Sequence, residues 1–336
     1  MKRIVTLGVL IVLAMQAEAQ GDPVASPGST LRSTANLVLV PALVLDRSGE
    51  MIHTLTQNDF ALTDNGIPQK LTVEHIEHQP VSVVVLMQTG GAAPGEFAYY
   101  KGLGTMLDNL VGETSHKVAL VTFDSQPEEL WNFPPRGEGL SYAFTHPDPG
   151  DGGAAILDAI SYSVDLLKQQ PDTSRRVILL ISQQHDAGSR IKPEAVVREL
   201  GESNTTIYSL TFSPAKKWFK DQFTGPRHGN GAYDMPGEAP LLYTFNLSGP
   251  LFEAWKALQQ DTASEIAALS GGESLHFSTR KDLEEQLSLL ANRIPNRYTL
   301  SFRPTSNEPG FHELKVQVLN QPEPVTVSAR TSYWSK

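Results

Sequence analysis

Apolar and polar positions along the chain change their period more than once, and the changes divide it. Leu37-Val38-Leu39-Val40 and Leu43-Val44-Leu45 flank Pro41 and lead into a turn at Asp46-Arg47-Ser48-Gly49. Phe60-Ala61-Leu62-Thr63 then meets Asp64-Asn65-Gly66, and Leu71-Thr72-Val73 follows. Asn-Gly supplies the positive φ of a tight hairpin, so this stretch reads as strand, turn, strand. A β unit this small cannot bury both of its faces by itself.

From Val81 strands alternate with helices. Val81-Ser82-Val83-Val84-Val85-Leu86-Met87 ends abruptly in Gln88-Thr89-Gly90-Gly91, the pattern of a strand buried on both faces that delivers a loop to the edge of a parallel sheet. Phe97, Tyr100, Leu103, Leu107 and Leu110 recur at helical spacing, as do Ile156, Ala159, Ile160, Ser163, Val164 and Leu167. Lys117 to Phe123 and Val177 to Ile181 read as buried strands, Glu128 to Phe133 as a short antiparallel one, and Thr205 to Phe212 as another strand. Pro193 opens a helix ending near Leu200. After a long irregular segment, Phe252 to Leu269 reads as a helix, Ser274 to Phe277 as a short strand, and Leu283, Leu287, Leu290 and Ile294 as the stripe of a last helix. The class this predicts is α/β, an open, mostly parallel, doubly wound sheet.

The tail returns to β: Tyr298 to Phe302, His312 to Leu319 and Val325 to Ser332 alternate apolar and polar between turns. Two incomplete β segments at opposite ends of the chain are expected to pair into one flanking β-sandwich. The resulting division is a β segment over 36–77, an α/β domain over 78–294 carrying a loop insertion at 213–250, and a second β segment over 295–336.

Composition changes this picture at the amino terminus. Lys2 and Arg3 precede an apolar run from Ile4 to Met15, and Ala17-Glu18-Ala19 follows as a small-x-small site. This predicts a secretory signal peptide over 1–19, cleaved after Ala19, then a flexible leader over 20–35 rich in Gly, Pro and Ser. The apolar run is shorter than the roughly 20 residues that cross a bilayer. The expected location is secreted or periplasmic. An exported chain of 336 residues with no cysteine has no disulfide framework and must be held by its core. A formal net charge of −10 argues against nucleic acid or an anionic membrane as partner.

Three loops carry a more specific signal. A strand ending at Met87 to Gly91, the loop Gly152-Gly153-Ala154-Ala155-Ile156-Leu157-Asp158-Ala159 opening a helix, and a strand ending in Ser182-Gln183-Gln184-His185-Asp186 occur in the order found in von Willebrand factor type A domains, which the chain resembles. The flanks Leu55 to Gln69 and Tyr298-Thr299-Leu300-Ser301-Phe302-Arg303-Pro304 are similar to exported proteins related to that family and abundant in acidobacteria. The resemblance covers nearly everything after the leader. It implies a metal-ion-dependent adhesion site, in which Asp-x-Ser-x-Ser, a Thr after Gly-Gly, and an Asp hold Mg²⁺. Here Met87, Thr89 and Gly91 stand for Asp, Ser and Ser, Ala154 for Thr, and Gln183 for Asp. A hard divalent cation stripped of water needs anionic oxygen nearby, and a thioether and an amide supply no charge. The expectation is a degenerate site without metal and no cofactor of any kind. The competing arrangement rebuilds the site from Asp148, Asp151, Asp186 and Thr89; loop aspartates beside Gly and Pro more commonly shape turns.

Catalytic patterns are lacking. There is no Gly-x-Ser-x-Gly elbow, no cysteine nucleophile and no phosphate-binding glycine fingerprint. His75 and His78 read as surface residues, and Asp158 as an acceptor for loop amides. The insertion holds Lys216-Lys217-Trp218-Phe219-Lys220, Phe223 and Tyr233, which suits either a partner-binding surface or a loop tucked onto its own domain. The reading is an exported, non-enzymatic protein-binding or scaffolding module. Its unidentified protein partner would be met by Trp218, Phe219, Phe223 and Tyr233 or by the edge around Gln88, Thr89 and Gln184. The alternative is a metal-dependent adhesion protein with the rebuilt site.

Overall fold

The computed structural model describes residues 37–74, 79–107, 116–133, 140–213, 256–306 and 308–335. The segments expected as signal peptide and leader, His75, His78, Leu110 and the insertion with Trp218, Phe219, Phe223 and Tyr233 lie outside the described residues.

Strand β1 (Val38–Leu45) runs unbroken through Pro41. The Pro41 carbonyl accepts from Arg330 N at 3.3 Å, on the side where the neighbouring strand has already ended at Ala329. A strand residue points its N–H and C=O to the same side, so the donor that proline lacks is not needed by the ladder. Strand β2 (Phe60–Asp64) turns at Asn65 and Gly66, with φ of +48° and +80°, into β3 (Ile67–Gln69). A two-residue turn fixes β3 as the hairpin partner, so Leu71-Thr72-Val73 does not return on β2. It forms β4 (Leu71–Glu74), which crosses to the opposite sheet.

The chain then builds the central sheet with β5 (Val81–Gln88), β6 (His116–Phe123), β7 (Pro127–Trp131), β8 (Arg175–Gln183), β9 (Thr205–Phe212) and β10 (Ser274–His276). The strand order is β10-β9-β8-β5-β6-β7, with every pairing parallel except that of the edge strand β7. All eight residues of β5 are buried, as a strand with helices on both faces requires.

Helices α1 (Leu103–Leu107), α2 (Leu140–Thr145), α3 (Ile156–Lys168), α4 (Pro193–Ser203), α5 (Thr262–Ser270) and α6 (Arg280–Arg293) flank the sheet. One face packs Ile156, Ile160 and Val164 of α3, Val196 of α4 and Ile266 of α5 against Val84, Leu86, Ile178 and Leu180. The other packs Leu103 and Leu107 of α1 and Leu283, Leu287 and Leu290 of α6 against Val83, Val85 and Leu179.

Two expected helices are shorter than their stripes. The Phe97-to-Leu107 stripe is one 3₁₀ turn (Phe97–Tyr99) and then α1, interrupted by Gly102 at φ +94°. Within the expected Phe252-to-Leu269 helix, residues 256–260 are helical and Asp261 then starts α5 as its N-cap, accepting from Ser264 N at 3.0 Å.

The terminal strands are β11 (Tyr298–Phe302), β12 (Gly310–Val318), β13 (Thr326–Ala329) and β14 (Ser332–Ser335). They interleave with the amino-terminal strands in two sheets, β13-β1-β11-β4 and β14-β12-β2-β3. The β-sandwich is therefore built from both ends of the chain, as the sequence implied. Val40, Val44, Leu62, Leu300, Phe302 and Tyr333 fill it. Residues Ala35–Lys336 form one compact unit.

Candidate functional site at the carboxyl edge of the sheet

The chain starts β5 in the middle of the sheet, builds β6 and β7 on one side, and later adds β8 on the other. The carboxyl ends of β5 and β8 are thus the topological switch point, where open α/β sheets place their ligands. Three loops meet there, following β5, preceding α3 and following β8.

Side chains alternate across β5. Val83, Val85 and Met87 pack into the core on one face, and Val84 and Leu86 into the core on the other. Met87 is fully buried among apolar neighbours, so the residue the strand delivers to the edge is Gln88, one position further on. The alternation was present in the sequence and could have identified it. Gln88 is 0% exposed, and its amide makes three bonds. Nε2 donates to Gly90 O at 3.0 Å and to Gln183 Oε1 at 3.1 Å, while Oε1 accepts from Gln183 N at 2.8 Å. Gln183 Nε2 in turn donates to His185 O at 2.8 Å. Two neutral amides thus clasp each other across the switch point.

Backbone bonds close the loops around this pair. Gly91 N donates to Asp151 O at 2.8 Å, Gly150 N to Thr89 O at 3.0 Å, and Ala155 N to Asp124 O at 2.8 Å. Ala154 and Ala187 exchange two bonds, at 2.9 and 2.8 Å. Gly90 has no room for a side chain, since a Cβ there would overlap Gly153 O and Asp124. Gly91, at φ +57°, lies against the amide pair, and a Cβ there would be 3.3 Å from Gln88 Nε2 and 3.4 Å from Gln183 Oε1.

The carboxylates of this edge are engaged in holding the loops. Asp151 accepts from Gly153 N at 2.8 Å, from Ser125 N at 3.1 Å and from Ser125 Oγ. The Ser125 hydroxyl and these amides hold its pKa below the usual value. Asp186 accepts from Leu157 N at 3.1 Å in the first turn of α3, and from the Ser189 hydroxyl. Asp158 accepts from Arg190 N at 3.0 Å and Ile191 N at 2.8 Å. Asp148 is exposed. Thr89 Oγ1 donates to Phe123 O at 3.2 Å. Among the described residues no three acidic or histidine side chains converge as metal ligands, and the structure does not bring Asp148, Asp151 and Asp186 together as such a group.

The edge residues expected to meet a partner are largely covered. Gln88 at 0% and Thr89 at 6% exposure lie beneath the surface, because one sits in the amide pair and the other on the Phe123 carbonyl. Gln184 is half-buried, its carbonyl accepting from Ala263 N at 3.1 Å. A cavity of about 370 Å³ opens beside the switch point, with Thr89, Asp124, Ser125, Gln126, Glu128 and Asp151 in its lining. On α2, just before the loop that carries Gly150, Tyr142 is 70% exposed and stacks on His146 with ring centroids 4.7 Å apart.

No family model matches the chain, and no curated protein does. Solved structures similar to it include proximal thread matrix protein 1 from the mussel byssus with a zinc-occupied MIDAS motif, at 12% identity and a TM-score of 0.44, over 69% of this chain and 50% of that one. BatB from Bacteroides thetaiotaomicron is 16% identical with a TM-score of 0.39, over 63% of this chain and 99% of that one. The SpRpn10 VWA domain is 17% identical with a TM-score of 0.33, over 42% and 80%. The chain spans about half the length of the mussel protein. Strand order, parallel pairing and the switch point by themselves define this chain as a doubly wound α/β fold with a flanking β-sandwich.

Proposed function

We propose that the chain is an exported, non-enzymatic protein-binding module whose α/β domain, similar to a von Willebrand factor type A domain, recognises its partner without a bridging metal. One observation carries the reading: the Gln88–Gln183 amide pair occupies the switch point with both polar side-chain atoms of Gln88 bonded inside the protein. A divalent ion there would have to displace those bonds and would gain no negative charge in return. Of the loop carboxylates that could substitute, Asp151 and Asp186 are already bound to backbone amides, and moving Asp186 would also uncap α3. Export rests on the amino-terminal segment, with its basic start, apolar run and small-x-small site.

Recognition then rests on the accessible rim. Tyrosine is enriched among the energetic anchors of protein interfaces, and Tyr142, exposed on its His146 support in α2 and preceding the loop with Gly150, is a candidate for that role. Two measurements test the reading. Thermal unfolding with millimolar Mg²⁺, Mn²⁺ or Ca²⁺ is expected to match unfolding with chelator. A cation-dependent rise in melting temperature, lost in Asp151→Ala or Asp186→Ala, would establish the rebuilt metal site instead. Tyr142→Ala is expected to weaken capture of the partner from the native cell envelope at least tenfold with melting temperature unchanged. Undiminished capture would remove this rim from the interface.

A further inference from the structure

A second cavity, of about 480 Å³, lies at the opposite, amino end of the parallel strands, between the start of β8, the end of α4 and the β1 and β11 strands of the sandwich. Its size is that of a small-molecule site. Its lining contains four guanidinium groups, those of Arg175, Arg176, Arg297 and Arg330, and two carboxylates, Asp172 and Glu202. In a protein with a formal net charge of −10 this is a local inversion of sign.

Pairing within the fold neutralises only part of it. Arg176 meets Asp172 at 2.7 Å, and Arg297 meets Glu273 at 2.6 Å, a carboxylate that also serves Arg293 at 2.7 Å. Arg330, 4% exposed, donates to Ser332 O at 2.7 Å, Leu39 O at 3.1 Å and Asn204 Oδ1 at 3.2 Å, all of them neutral. Arg175 donates to Ile294 O at 3.0 Å. Neither forms an ion pair among the described residues. Arg297 is 8% exposed, and its Nε and that of Arg175 are buried without an acceptor among the described residues.

A buried guanidinium facing only neutral dipoles is costly, and an unmet N–H adds to the cost. Burial pulls Arg330 down to about 10 and also lowers Arg175. An oxyanion relieves both deficits at once, because the planar fork of arginine matches a carboxylate or phosphate edge. We infer that this inter-sheet cavity is a binding site for a small oxyanion, a phosphate- or carboxylate-bearing ligand held by Arg175, Arg297 and Arg330. This site is independent of the carboxyl edge and of the reading given to that edge.

The test is calorimetric titration of the mature full chain with inorganic phosphate and with citrate, at constant ionic strength set with NaCl. Melting temperatures are recorded in parallel. Saturable binding of at least one anion is expected. Phosphate alone would assign a phosphoryl ligand, and citrate alone a carboxylate one. Arg175→Gln should weaken the dissociation constant at least tenfold, and Arg175→Lys by less. Arg280→Gln, on the exposed outer face of α6, should leave it unchanged.

Ser174→Glu places a competing carboxylate at the half-buried cavity wall without touching an arginine. It should abolish binding while raising the anion-free melting temperature, so the proposal is still tested if Arg175→Gln fails to fold. No saturable response to either anion beyond that of NaCl would overturn the site. So would equal binding by the Arg280→Gln and Ser174→Glu proteins.

Discussion

Gln88→Glu replaces one NH₂ by an oxygen at the centre of the switch point with almost no change of shape. One carboxylate oxygen keeps the bond from Gln183 N, now 2.8 Å long. The other faces Gly90 O and Gln183 Oε1, at 3.0 and 3.1 Å from the present nitrogen, so two donor bonds become contacts between acceptors. Each lost bond is worth about 1 kcal/mol net, giving about 2 kcal/mol before the cost of burying a charge at a fully buried position is added. For a chain of 336 residues that is a fall in melting temperature of about 3 °C near pH 7, more once the buried charge is counted. The introduced carboxyl regains its donor by taking a proton, so its folded pKa lies above its unfolded value of about 4.3. The folded state then holds more protons than the unfolded state between those two values. Stability is therefore lost as pH rises through that window and recovered below it. Thermal unfolding of the wild type and Gln88→Glu from about pH 4 to pH 8 reads this directly. A variant as stable as wild type at pH 7, or one whose deficit grows as pH falls, would refute the amide-pair account. Stability restored at pH 7 by Mg²⁺ would show that one carboxylate suffices to recruit an ion.

Three further outcomes follow from other parts of the fold. Burial holds the Glu96 carboxyl above its ordinary value of 4.5, so the native protein should lose stability as pH rises through the window above that value, and Glu96→Gln should flatten this dependence in pH-scanned melting curves. Inside the sandwich Tyr333 OH donates to Asp64 Oδ2 at 2.8 Å beside the 2.7 Å contact of His312 with Asp64 Oδ1, so Tyr333→Phe should cost about 1–3 kcal/mol in denaturant unfolding; an unchanged midpoint would mean that water replaces the hydroxyl. Because β11 and β13 are the two neighbours of β1, ending the chain at Arg297 should strip hydrogen-exchange protection from Val38–Leu45, and retained protection would show that β1 is held by something other than the carboxyl-terminal strands.

The sequence carried most of the fold because each level agreed with the next. Continuous apolar runs such as Val81 to Met87 can only be strands covered on both faces, and the stripes of α3 and α6 supply the covering. The two β ends were also legible, since neither has a partner sheet of its own. What was illegible came from single residues acting against a local pattern. Gly102 at φ +94° breaks a stripe that reads as one helix, and Asp261 turns what reads as one long helix into a start. Pro41 suggests a break where the ladder happens not to need a donor. The missed strand β3 carries Pro68 and follows too closely on the turn to show any alternation of its own.

The site was legible by place and less so by residue, and the reason is geometric. Loop order and the abrupt end of β5 put the switch point where the structure has it, but which residue faces the gap depends on the parity of the strand, since a shift of one position sends a side chain to the opposite face. Met87 belongs with Val83 and Val85 and goes into the core, so Gln88, which continues the series Val84 and Leu86, is the group at the edge. That substitution changes what the loss of charge means. A thioether at this position would leave a gap lined by unsatisfied loop amides, whereas two glutamines satisfy one another and Gly90 O as well. At the centre of the edge is therefore a neutral amide junction with three loops stapled across it, and Gly90 leaves no space for a side chain beside it. On the reading proposed above, a cation site here would require moving backbone as well as changing side chains, and recognition by this edge would come from its outer rim.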